Sequence, residues 1–198
     1  LLWAVEGGAH PVQVKRGSYD VMHRLFATRP LIEFFNQAPT VFDRTDLDLP
    51  TAAYHEAGHV LMAHLLGGNV VSVTLESEDD AMGGVTTVRW SSDNHSDRQR
   101  CSALVALAGP LAEARWRGEA IALDAFTAWR GDWQEVEQAL VAQAQGSDPI
   151  KLLHQWLGKV RQQFDDPLIW EVLCRVADAL EAHGTLDEDL LDDVLARV

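Results

Sequence analysis

His55, Glu56 and His59 are the residues whose types and spacing point to chemistry. They stand in the run Ala53-Tyr54-His55-Glu56-Ala57-Gly58-His59. The surrounding stretch from Thr51 to Leu66, with Ala52, Leu61, Met62 and Leu65, predicts a helix ended by Gly67-Gly68-Asn69. In a helix, residues i and i+4 share a face, with Cβ atoms about 5–6 Å apart. Two imidazoles so placed can converge on one Zn²⁺ at about 2.0–2.1 Å each. Glu56 lies about 100° further round the helix. It therefore flanks the ion instead of ligating it, where a carboxylate can take a proton from zinc-bound water. The H-E-x-x-H arrangement predicts hydrolysis by metal-activated water. The plainer alternative is a pair of core histidines bonded to neighbours, with Glu56 in a salt bridge. The helical, apolar setting favours the metal.

A catalytic zinc needs a third protein ligand and a fourth position for solvent. His64 follows His59 by five residues and falls on a different face. The chain after His59 reads Val60-Leu61-Met62-Ala63-His64, without the Gly and His spacing of longer three-histidine motifs. The candidate acids further on are Glu76, Glu113, Asp124, Asp132 and Glu135. Gly58 costs about 1 kcal/mol against Ala inside a helix, which predicts another backbone passing close by.

The elements that must position these groups are mostly helical. Val71, Val73 and Leu75 alternate with Ser72, Thr74 and Glu76, predicting a strand with one buried face. Gly83-Gly84 predicts a turn into a second strand, Val85 to Trp90. A helix from Ser96-Asp97 runs through Leu107, is kinked or split by Gly109-Pro110, and continues from Leu111 to Trp116. Asp132 opens another helix and Pro149 a further one. Leu168, Val172, Leu173, Val176 and Leu180 keep helical spacing, as do Leu186, Leu190, Leu191, Val194 and Leu195. These form a closing helical pair with a turn at His183-Gly184-Thr185. Trp116, Trp133, Trp156 and Trp170 fit apolar helix faces, whereas Trp90 and Trp129 are only candidates for lining a cleft. The expected fold is mainly α with a small β-hairpin. Residues 1–49 form a separate segment, with short strand and helix signals before a connector from Thr40 to Pro50.

Composition narrows the function classes. Of 198 residues, 47% are apolar and 23% charged, as in an ordinary globular chain. The formal net charge of −14 argues against nucleic acid, whose phosphates select basic surfaces. It also disfavours docking on anionic lipid, and no apolar run approaches the roughly 20 residues of a membrane helix. Ten acids against two bases between Asp165 and Val198 read as the solvated face of the closing helices. Cys101 and Cys174 stand alone, which excludes a cysteine-only zinc site and favours a reducing, cytoplasmic compartment.

The run Ala53 to His59 resembles the zinc-binding helix of the FtsH-type proteases, membrane-anchored enzymes in which a zinc peptidase domain follows an AAA+ ATPase domain. Other landmarks are similar in order: Val71 to Leu75, Gly83 to Thr86, Leu107-Ala108-Gly109-Pro110-Leu111-Ala112-Glu113, Gly131-Asp132, and the closing helical pair. The resemblance covers roughly residues 50–198 and implies a zincin-like helical peptidase domain. It implies His55 and His59 as zinc ligands, Glu56 as general base and Asp132 as third ligand. The alternative for Asp132 is a plain helix N-cap, with Glu113 then the substitute ligand. Pro110 departs from the Arg usual in that family. No G-x-x-x-x-G-K-[ST] occurs, so this sequence carries no ATPase motor. The implied partners are an unfolded or flexible polypeptide substrate and, by analogy with ring-forming members, a homo-oligomer or an external ATPase. The expectation is thus a zinc metallopeptidase. The competing class is a non-catalytic, peptidase-like binding or assembly module, which has no need of Glu56.

Overall fold

The computed structural model describes residues 49–76, 84–91, 95–119, 129–144 and 148–196. Expectations for residues 1–48, for Gly83, for Asp124 and for the polar loop at 92–94 fall outside them. Six helices and three strands follow in chain order among the described residues. They are α1 (Leu49–Leu65), β1 (Asn69–Thr74), β2 (Val85–Arg89), α2 (His95–Arg117), α3 (Arg130–Gln143), α4 (Pro149–Asp165), α5 (Pro167–His183), β3 (Thr185–Asp187) and α6 (Glu188–Leu195). The architecture is mainly helical with a small antiparallel sheet.

The centre is α1. Every residue from His55 to Ala63 is buried, as expected of a helix packed on all sides. Helices α2 and α5 flank it, and β1 and β2 lie against it. Gly58 explains how close α2 comes. A Cβ there would sit 2.6 Å from the Ala108 carbonyl oxygen and 2.8 Å from the Ala112 Cβ, so the predicted close approach is real. Gly58→Ala should therefore destabilise the fold by about 1–3 kcal/mol through overpacking. Its helix-propensity gain of about 1 kcal/mol does not offset that cost. Urea unfolding of the two proteins would check the sign. Gly67, at φ 78, reverses the chain after α1 while the Gly68 N–H caps the Ala63 carbonyl at 2.9 Å.

Two expectations about the strands change. The alternation of Val71, Val73 and Leu75 is broken by a register shift between Val70 and Ser72 in the β1–β2 ladder. That irregularity brings Val70 and Val73 to the core and leaves Val71 half-buried. The hairpin also gains a third member. Thr185–Asp187, expected only as turn and helix start, pairs antiparallel with β1 to give the order β2-β1-β3. Gly184, at φ 72, ends α5 and aims the chain into β3.

The helices hold more firmly than expected at one point. α2 runs unbroken through Pro110, although proline lacks the N–H that the Ala106 carbonyl would take. Asp148, Asp166 and Asp187 cap α4, α5 and α6 by accepting backbone N–H bonds at 2.9, 2.8 and 3.0 Å. Each such cap is worth about 1 kcal/mol. Trp156 is buried, and Trp133 and Trp170 are partly buried against the core. Trp116 corrects the expected core assignment: it is exposed, with one face stacked on Tyr54 at 5.0 Å between ring centroids. Leu168 and Leu190 are likewise exposed, off the apolar faces of their helices. The acids Glu171, Asp178, Asp189, Asp192 and Asp193 face solvent as expected. No helix among the described residues is long and apolar enough to cross a membrane.

Candidate metal centre

Three elements meet at the histidines of α1. His55 and His59 point the same way from successive turns, with ring centroids 4.7 Å apart and planes nearly perpendicular. Asp132, in the first turn of α3, reaches across to both. Its Oδ2 lies 3.1 Å from His55 Nε2, and its Oδ1 lies 3.4 Å from His59 Nε2. One ligand atom from each of the three residues falls within 4.8 Å of the others. All three residues are buried, and so is Glu56. Asp132 is not a helix cap, since the N-cap position of α3 is Trp129 and α3 begins at Arg130.

The far side of each imidazole is also engaged. His59 Nδ1 donates to the Val105 carbonyl at 2.8 Å. His55 Nδ1 faces Glu113 Oε2 at 3.3 Å. Both rings therefore turn Nε2 toward Asp132 and each other while Nδ1 is taken from behind, the arrangement typical of metal-ligating histidines. His59 Nε2 and Asp132 Oδ1 are shielded from solvent and have no hydrogen-bond partner among the described residues. Buried polar atoms are seldom left so without reason. Two imidazole nitrogens and a carboxylate match the donor set of a catalytic zinc, so the residues present fit the ion.

Gly109 of α2 keeps that space clear. A Cβ there would lie 2.4 Å from His59 Nε2 and 2.8 Å from His55 Nε2. Sequence reading saw in Gly109-Pro110 only a kink, because a helical glycine gives no local sign of facing a side chain 50 residues away. Trp129 stacks on the other ring, 5.9 Å from His55 with planes 18° apart.

Burial and the neighbouring charges act in opposite senses on the three groups. Burial pulls the His55 imidazole down, but hydrogen bonding to Asp132 and Glu113 outweighs it and lifts the pKa to about 9. Burial dominates at His59 and lowers its pKa. Burial pushes Asp132 up, yet the two histidines outweigh it and hold the carboxyl below its usual range.

Glu56 stands beside the cluster in its own setting. Thr86 of β2, fully buried, donates from Oγ1 to Glu56 Oε2 at 2.8 Å. Gly84 lets the start of β2 press against the same side chain, since a Cβ would meet Glu56 Cγ at 2.5 Å. Thr86→Val should leave a buried carboxylate oxygen without its donor and cost about 1–3 kcal/mol of stability, read from denaturant midpoints at constant m-value. The partner was not legible in the sequence, where Thr86 is one of two adjacent threonines in a strand.

The other candidate acids separate cleanly. Glu113 lies behind His55 instead of beside Asp132, and Glu76 and His64 are exposed. Glu135 is half-buried, its carboxyl raised by burial and by Asp132.

Residues 37–131 match the family described as Peptidase M50B-like. This is a metallopeptidase family other than the FtsH type. The resemblance read from the sequence therefore stands at the level of a metallopeptidase, and the match does not support the FtsH type. The matched span contains α1 and α2 and stops one residue before Asp132. No curated protein matches the chain.

Proposed function

We propose that this chain is a zinc-dependent endopeptidase that hydrolyses peptide bonds in unfolded or flexible polypeptides of the cytoplasm. The observation that carries the reading is the convergence of His55 Nε2, His59 Nε2 and the Asp132 carboxylate on one shielded point. The M50B-like match supports peptide-bond hydrolysis as the chemistry. Zinc, when bound, supplies a Lewis acid that acidifies water to near neutrality and polarises a carbonyl.

The chain's own residues do the rest. His55, His59 and Asp132 hold the ion. Glu56, fixed through Oε2 by Thr86, accepts a proton from the attacking water and returns it to the leaving amine. Strand β2 is an edge of the sheet among the described residues, paired only to β1. An extended polypeptide can add to that edge by backbone hydrogen bonds, which bring its carbonyls past Glu56 without regard to sequence. Folded substrates would need an external ATPase to unwind them, whereas flexible ones would not.

The test uses the purified chain. One zinc per chain, cleavage of a permanently unfolded polypeptide, loss of cleavage on chelation and recovery with added zinc are expected. Full zinc loading with no cleavage of any unfolded substrate would reject the enzyme in favour of a binding module.

A further inference from the structure

The side of the cluster away from Asp132 holds a chain of charged groups that the proposed chemistry does not use. Glu113 is buried on α2, and its two oxygens meet different partners. Oε2 lies 3.3 Å from His55 Nδ1, and Oε1 lies 3.3 Å from the Arg117 guanidinium, one helical turn further along. Arg117 in turn donates to Thr51 Oγ1 in the first turn of α1 at 3.4 Å. His55 Nδ1 and Glu113 Oε2 face each other at 3.3 Å, and beyond that contact neither has a hydrogen-bond partner among the described residues.

We propose that Arg117 is a positioning residue for the metal centre, acting through Glu113. The guanidinium, 3.3 Å from Oε1, fixes the orientation of the Glu113 carboxyl. Glu113 Oε2, 3.3 Å from His55 Nδ1, then anchors the ring from behind and leaves Nε2 facing the ion. Arg117 also ties the C-terminal end of α2 to the N-terminal end of α1, so the same contact sets how His55 is presented relative to Glu113. The inference rests on the metal-binding reading above but concerns affinity and geometry, not turnover.

A double-mutant cycle on the full chain decides it, with zinc affinity measured by chelator competition. Glu113→Gln should weaken zinc by about 10- to 100-fold, the usual effect of losing a group that supports a ligand. Arg117→Met should weaken it by a smaller factor, and Arg117→Lys should recover part of that loss. In the Glu113→Gln background, Arg117→Met should have no further effect, because its route to His55 is already cut. Additive losses in the double variant, or unchanged affinity in Arg117→Met, would overturn the proposal. If Glu113→Gln does not fold, the contrast between Arg117→Met and Arg117→Lys decides alone, with thermal unfolding of the metal-free proteins confirming that both are intact. Wild-type protein that binds no zinc would overturn the metal centre itself. Wild-type binding with an unaffected Arg117→Met would sink only this inference.

Discussion

Glu56→Gln should retain one zinc per chain and lose peptide hydrolysis by about 10²- to 10⁴-fold, the range for removing a general base. The substitution is nearly isosteric, and its amide oxygen can still accept from Thr86 Oγ1 in place of the carboxylate Oε2. Folding and metal content should therefore persist while proton acceptance is lost. The two readouts must be taken together. Loss of activity with loss of zinc would place Glu56 in the metal cradle, whereas unchanged activity with full zinc would remove it from the chemistry. Initial rates on an unfolded substrate and elemental analysis of the same preparation separate these outcomes.

Gly109→Ala should abolish stoichiometric zinc binding while the chain still folds. On an exposed helix the change would stabilise by about 1 kcal/mol. Here the added methyl carbon would lie within 2.8 Å of Nε2 on both histidines. The obstructed atoms are the ends of side chains, which can rotate away, so the fold tolerates the methyl group and the site does not. The expected overpacking cost of about 1–3 kcal/mol should appear in thermal unfolding of the metal-free protein. Zinc content after dialysis should fall to background. Full zinc retention would mean that the ion does not sit between the two rings on the α2 side.

The two predictions draw on different kinds of information, and so did the structure. The helix carrying His55, Glu56 and His59 was legible because a one-turn spacing is a local property, fixed by backbone geometry as soon as the segment is helical. The helix that Pro149 starts was legible for the same reason. The helical spacing of the acidic C-terminal segment likewise foretold its solvated face. The third strand was not legible. Thr185–Asp187 is three residues long, and its strand character comes from pairing with β1 more than 100 positions earlier. Nor was the break in alternation at Val71, since a register shift is decided by the partner strand.

The metal centre divides along the same line. Asp132 was reached only through resemblance to a known family, because nothing in Gly131-Asp132 itself distinguishes a ligand from a helix cap. Its identity as a ligand candidate comes from α3 docking beside α1, which closes a separation of 77 residues. Thr86 meets Glu56 across 30 residues and the Val105 carbonyl meets His59 across 46, and neither shows in a periodic pattern. Gly109 and Arg117 likewise gain their roles only from what α1 presents to α2. Side-chain spacing along one helix is set by covalent geometry and survives in any fold. Contacts between helices are set by how their surfaces interlock, and that is known only once the chain has packed.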